Sequence, residues 1–193
     1  MSSRIPATRD HATIGVASSA RGGQSVASLR AVLGQVFDVV EALDDEQYAR
    51  RPVGPFESSI GGQVRHCVDH FQALFPGVES GRVDYDKRER GTSVETNRAA
   101  ALETLRHIDE RLCDLEGAPL DQPIELTVMV LSDADPIKAP SSLGREMAFV
   151  LSHTIHHNAM IAAMAKIMDA SIPDQFGYAP STIAFLKQSQ CAQ

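Results

Sequence analysis

Between Ser25 and Arg50 apolar residues fall at Val26, Leu29, Val32, Leu33, Val36, Val39, Val40 and Leu43, in steps of three and four. One face of an α-helix has this spacing, so the pattern predicts a first helix over that stretch. Pro52, Gly54 and Pro55 break it. Ser58 or Ser59 can then cap a second helix with Ile60, Val64, Cys67, Phe71 and Leu74 on its apolar side, predicted to end at Pro76-Gly77. Thr92 followed by Glu95 matches a capping box, and Leu102, Leu105, Ile108, Leu112 and Leu115 carry a third helix to Gly117.

The next pattern is of another kind. Ile124 to Leu131 is rich in β-branched residues, partly alternating, and followed by the turn-forming Ser132-Asp133-Ala134-Asp135-Pro136, which predicts a short strand or hairpin. Ser142 opens a long helix whose stripe includes Met147, Val150, Thr154, Ile161 and Met168; Pro173 ends it, and a short helix follows near Ser181. Four amphipathic helices predict an all-α fold, a four-helix bundle in which the strand or hairpin is an insertion before the last long helix.

Length and composition fit one globular domain: 193 residues, 43% hydrophobic and 22% charged. The division expected is a flexible tail over 1–24, rich in Ser, Ala, Gly and Arg, and a single domain over 25–193. With 25 acidic and 18 basic residues the formal charge is -7, which gives no electrostatic reason to approach nucleic-acid phosphates. No stretch is apolar enough to cross a membrane, and no signal-peptide core is present. Cys67, Cys113 and Cys191 are few, odd in number and without CxxC spacing, which argues against a disulfide framework or a cysteine zinc site and fits a reducing cytoplasm.

The candidate chemistry lies in the histidines. Ser152-His153-Thr154-Ile155-His156-His157 places His153 and His157 one helical turn apart on one face, where two imidazoles can hold one metal ion. His157 falls near the centre of the apolar stripe and His153 beside it, while His156 turns toward the flank. A third ligand is available from Arg65-His66-Cys67-Val68-Asp69-His70, as His66 or His70. Helical phase puts His70 nearer the apolar stripe. His107 lies off its own stripe. Thr154 stands where the zinc-protease motif H-E-x-x-H requires glutamate, which excludes that kind of peptidase.

Three segments together resemble the DinB-like (YfiT-like) metalloenzyme superfamily: Ser59-Ile60-Gly61-Gly62-Gln63-Val64-Arg65-His66-Cys67-Val68-Asp69-His70, Arg145-Glu146-Met147 leading to His153-Thr154-Ile155-His156-His157, and Phe176-Gly177-Tyr178-Ala179-Pro180-Ser181-Thr182. The resemblance runs from about Ser25 to Phe185. It implies a four-helix bundle with one divalent metal, zinc or nickel, held by His66, His153 and His157. This chain departs from the pattern at Gln63, where many relatives carry histidine. The resemblance further implies a small-molecule substrate and transfer of a low-molecular-weight thiol to an electrophile, with metal-dependent hydrolysis as the alternative. A non-catalytic, metal-stabilised bundle that forms a homodimer or binds a partner is the competing expectation. Asp69 and Glu146 are candidates to orient ligating imidazoles or to act as a base, against a plain solvated-acid role for Asp69. Met160 and Met164, with the Phe176–Thr182 loop as a cover, are candidate pocket residues, although core packing is the more ordinary use of those methionines.

Overall fold

The computed structural model describes residues 11–87 and 91–191, with side chains described over 22–87 and 91–189. The first helix, α1 (His11–Ala42), begins well before Ser25. Positions 11–24, expected as part of a tail, are therefore helical, and residues 1–10 lie outside the described residues. The stripe read from the sequence is buried throughout, from Val26 to Leu43. The helix does not run to Arg50. Asp44 adopts an extended conformation and its carboxylate accepts from Gln47 N at 2.7 Å, while Gln47 Oε1 accepts from Asp44 N at 3.1 Å. This reciprocal cap starts a separate short helix, α2 (Asp45–Ala49).

Helix α3 (Ile60–Ser80) starts at the expected cap, with Ser59 Oγ accepting from Gly62 N at 3.0 Å. It passes through Pro76 where the sequence predicts an end. Proline removes one backbone donor and crowds the preceding turn, but beyond it the last turn still buries Gly77 and packs Val78 on the core. The helix closes one turn later at Gly81, whose N–H donates to Gly77 O at 2.9 Å. The strand β1 (Arg82–Asp84), which carries no legible alternation, follows directly.

The capping box expected at Thr92 does not form. Thr92 makes no side-chain cap bond, and α4 (Ser93–Thr96) is a single turn. Asn97 Oδ1 instead accepts from Ala100 N at 3.1 Å and opens α5 (Arg98–Cys113), which ends short of Gly117. The segment after it is a hairpin, β2 (Pro123–Val128) antiparallel to β3 (Ile137–Ser142), with Leu126 opposite Ala139. Strand β1 adds in parallel to β2, Val83 opposite Leu126, so the sheet order is β1-β2-β3. Helix α6 (Leu143–Ile167) leaves β3 directly, capped by Ser142, and α7 (Pro180–Cys191) follows.

The described chain is thus mostly helical with a small three-stranded sheet. The long helices pack in pairs, α3 on α6, α1 on α5, α1 on α6 and α3 on α5. Their facing stripes form one core, which includes Leu29, Leu33, Phe71, Leu105 and Ile161. No described helix is long and apolar enough to cross a membrane.

Gly61 sets how closely α3 approaches α4. A Cβ there would lie 2.1 Å from Glu95 O and 2.7 Å from Tyr48 Cε1. The buried Tyr48 is itself fixed, its hydroxyl donating to Val94 O at 2.6 Å. Gly61→Ala should therefore force backbone displacement and lower stability by about 1–3 kcal/mol. Urea unfolding of the variant beside wild type measures this; an unchanged midpoint contradicts it.

Candidate metal centre

The packing of α3 on α6 turns two HxxxH pairs toward one another, His66 and His70 on one helix and His153 and His157 on the other. The Nε2 atoms of His66 and His153 lie 3.0 Å apart. The ring of His66 has its centroid 4.6 Å from that of His70 and 4.5 Å from that of His157. The ring of His153 lies 4.0 Å from His70 and 4.5 Å from His157. His66 and His153 thus form the middle of the cluster, with His70 and His157 on either side. One ligand nitrogen from each of His66, His70 and His153 fits within 4.8 Å, close enough to hold a metal ion. The set implied by resemblance has His157 in the place of His70. Both flanking rings are buried, His70 at 5% and His157 at 9% exposure.

Each flanking ring is oriented through Nδ1. His70 Nδ1–H donates to His66 O at 2.8 Å, and His157 Nδ1–H donates to Gln63 Oε1 at 2.7 Å. A neutral imidazole with its proton on Nδ1 carries its lone pair on Nε2, the usual arrangement of a metal ligand held from behind by an oxygen acceptor. Gln63, through its side-chain oxygen, thus holds the ring of His157. Burial, with smaller contributions from His156 and His70, holds the pKa of His157 down to about 4 from its ordinary 6.5. The ring is neutral at pH 7, the form that binds metal. His156 is exposed, as is His107, which lies 3.9 Å from Glu110.

Both acidic candidates accept from other side chains. Asp69 Oδ2 accepts from Arg65 Nη1 at 2.6 Å, and Arg65 Nε donates to Glu95 at 3.1 Å, so this pair clamps α3 to the α4 region. Asp69 is not a solvated acid, its side chain being 8% exposed. Glu146 is fully buried and accepts from Tyr85 Oη at 2.8 Å, Ser141 Oγ at 2.5 Å and Arg145 Nη1 at 2.9 Å. Its carboxylate therefore ties the start of α6 to β3 and to the residue after β1. The Tyr85 ring in turn stacks on His70, centroids 5.2 Å apart and planes 18° apart. Burial and the neighbouring Glu146 raise the Tyr85 pKa, which keeps its hydroxyl a donor.

A cavity of about 330 Å³ opens beside the cluster, lined by His66, His70, Tyr85, Leu126, Phe149 and Arg145, among others. It is not the pocket expected from the sequence. Met164 is wholly buried in the core, and Gly177 packs onto the α6 backbone, where a Cβ would lie 2.7 Å from Ala159 N. The Phe176–Thr182 loop thus buttresses α6 just past His157, and the sheet forms the pocket wall. Tyr85 and Leu126 escape sequence reasoning because pairing of β1 with β2, distant in sequence, puts them there, and Phe149 joins them from α6, one turn before His153. Cys67 lies in the same helix segment but is buried, which pushes its thiol up to about 12.

Residues 28–161, a span that includes both HxxxH pairs, match the family model of the DinB superfamily. The chain belongs to the DinB superfamily. The crystal structure of the DinB-like protein YjoA from Bacillus subtilis superposes with a TM-score of 0.51 at 15% identity, covering 81% of this chain and 99% of that one. That likeness concerns the fold. FK506-binding protein 5 of Rhizopus delemar is 36% identical over 107 residues, 55% of this chain and 28% of that protein. The chain therefore spans under a third of that relative's length.

In this DinB member the depressed pKa of His157 has a consequence for stability. Between pH 4 and 6.5 the unfolded chain binds a proton at His157 that the folded chain does not. Stability should then rise with pH across that window and gain nothing further from His157 above it. Urea titrations of chelator-treated protein from pH 4 to 7.5, compared with His157→Gln, measure the effect. The same slope in both proteins removes His157 as its source.

Proposed function

We propose that this DinB protein is a metal-dependent enzyme that transfers a low-molecular-weight thiol to a small electrophile. The long helices are read as the four-helix bundle that carries its site. The observation that supports this most is the convergence of histidine nitrogens from α3 and α6 beside a cavity of about 330 Å³. The donor set fits a divalent ion such as zinc or nickel, being composed of imidazoles, with burial favouring the neutral form of His157. His66, His153 and His157 would hold it. A divalent ion so held supplies Lewis acidity, lowering the pKa of a thiol or water beside it toward neutrality.

The chain's own residues supply the rest. Gln63 fixes the ring of His157 by accepting its Nδ1 proton. Tyr85 and Phe149, stacked near His70 and His153, give the pocket an apolar wall that excludes water. The protein offers no nucleophilic thiolate of its own at this place, since Cys67 is buried and its thiol is held protonated. The nucleophile is therefore an external thiol, with water as the alternative in a hydrolase.

One observation favours a second reading. His70 also brings a ligand nitrogen to His66 and His153. With His157 it would complete four histidine ligands, a closed centre that stabilises the bundle or a homodimer and performs no reaction.

Elemental analysis of protein purified without an affinity tag should find about one zinc or nickel per chain. His153→Ala and His157→Ala should each abolish binding, His156→Ala and His107→Ala should not, and His70→Ala should retain the ion if the site is open. Loss of metal in His70→Ala together with no turnover would move the assignment to the closed centre. Full occupancy in a His153/His157 double substitution would reject the site.

Chelation should leave most of the helical circular dichroism intact, because the core stripes are buried independently of the histidines. Unfolding on chelation would make the metal a folding element instead.

A further inference from the structure

Arg145 is the cation in the lining of the pocket beside the histidines. Its guanidinium lies over the Phe149 ring, 5.3 Å from the centroid, and that ring is 5.4 Å from His153 and 5.9 Å from His70. One aromatic ring therefore separates the positive charge from the metal-binding imidazoles. Arg145 Nη1 donates to Glu146, and its Nε and Nη2 make no hydrogen bond among the described residues. The side chain is 56% exposed while its partner is fully buried. Glu146 divides its two oxygens among Tyr85, Ser141 and Arg145. The pair thus fixes the guanidinium in place and leaves donors directed elsewhere.

We infer that Arg145 is the anion-binding residue of this pocket, and that the ligand taken there is a small molecule with an apolar or aromatic body and a carboxylate at one end. The body lies against Leu126, Val128 and Phe149, which line the cavity, and the other end faces His66 and His70. A guanidinium presents paired N–H donors whose spacing matches a carboxylate. The neighbouring Asp86, exposed and accepting from Met129 N at 2.7 Å, adds a negative charge at the rim. That charge disfavours a dianionic phosphate more than a monoanionic carboxylate. A volume of about 330 Å³ admits a body of roughly one aromatic ring.

This inference rests on the reading of the centre as a thiol-accepting metal site, and its test separates the two. Calorimetry of zinc-loaded protein with 4-(mercaptomethyl)benzoate and with the matching neutral amide should show the carboxylate binding about tenfold tighter. In Arg145→Met the preference should vanish while zinc content stays unchanged. Arg145→Gln gives the same comparison where the methionine variant misfolds. Equal affinities in wild type, or an undiminished preference in the variants, would overturn the assignment. A third probe, 4-methylbenzoate, has no thiol. If it binds wild type and not the Arg145 variants, and 4-(mercaptomethyl)benzoate binds no more tightly than it does, the anion site stands and the thiol reading fails.

Discussion

Everything at the candidate centre depends on the contact of α3 with α6. Two helices pack when apolar stripes on each can be withdrawn from water together, and here Val64, Phe71, Val150 and Ile161 are all buried. The histidines lie on and beside those stripes, His70 and His157 buried and His66 and His153 half-buried. When the stripes close, the Nε2 atoms of His66 and His153 come within 3.0 Å. The free energy that gathers the histidine nitrogens is that of the core packed around them.

The rest of the site is held by polar groups that are buried and satisfied. Glu146, with no solvent exposure, would be costly as a lone charge in the interior. Three donors from α6, β3 and the residue after β1 answer it. The same contacts place Tyr85 against His70 and Arg145 over Phe149. A single carboxylate thereby joins the sheet to α6 and sets two walls of the pocket. Asn158 is the contrast: it is fully buried on α6, and its side-chain atoms have no hydrogen-bond partner among the described residues. Nothing else in the structure accounts for it.

The helical stripes were legible in the sequence because burial along a helix repeats every three to four residues, and the positions from Val26 to Leu43 and from Ile60 to Leu74 are buried as that period requires. Helix ends were less legible. Thr92 and Asn97 are both cap-forming residue types, and the chain makes a one-turn helix between them, so that Asn97 and not Thr92 supplies the side-chain cap. Pro76 read as a stop because its local cost is known and the packing of Gly77 and Val78 beyond it is not. The hairpin was partly visible in the alternation after Ile124, whereas β1, three residues long, has too few positions to show a period.

By itself the sequence determined the helical stripes, the two HxxxH pairs, the net acidic charge, and the resemblance that the DinB family match bears out. Those properties are local or compositional, carried by residues within a turn or two of one another. Tertiary structure decided that His70 comes as close to the His66–His153 pair as ligand geometry needs, that Gln63 holds His157, and that Glu146 serves Tyr85 and Ser141. Each of these joins groups on different elements, up to 94 residues apart for Gln63 and His157. Such contacts follow from how helices and sheet pack, and a one-dimensional period carries no record of that.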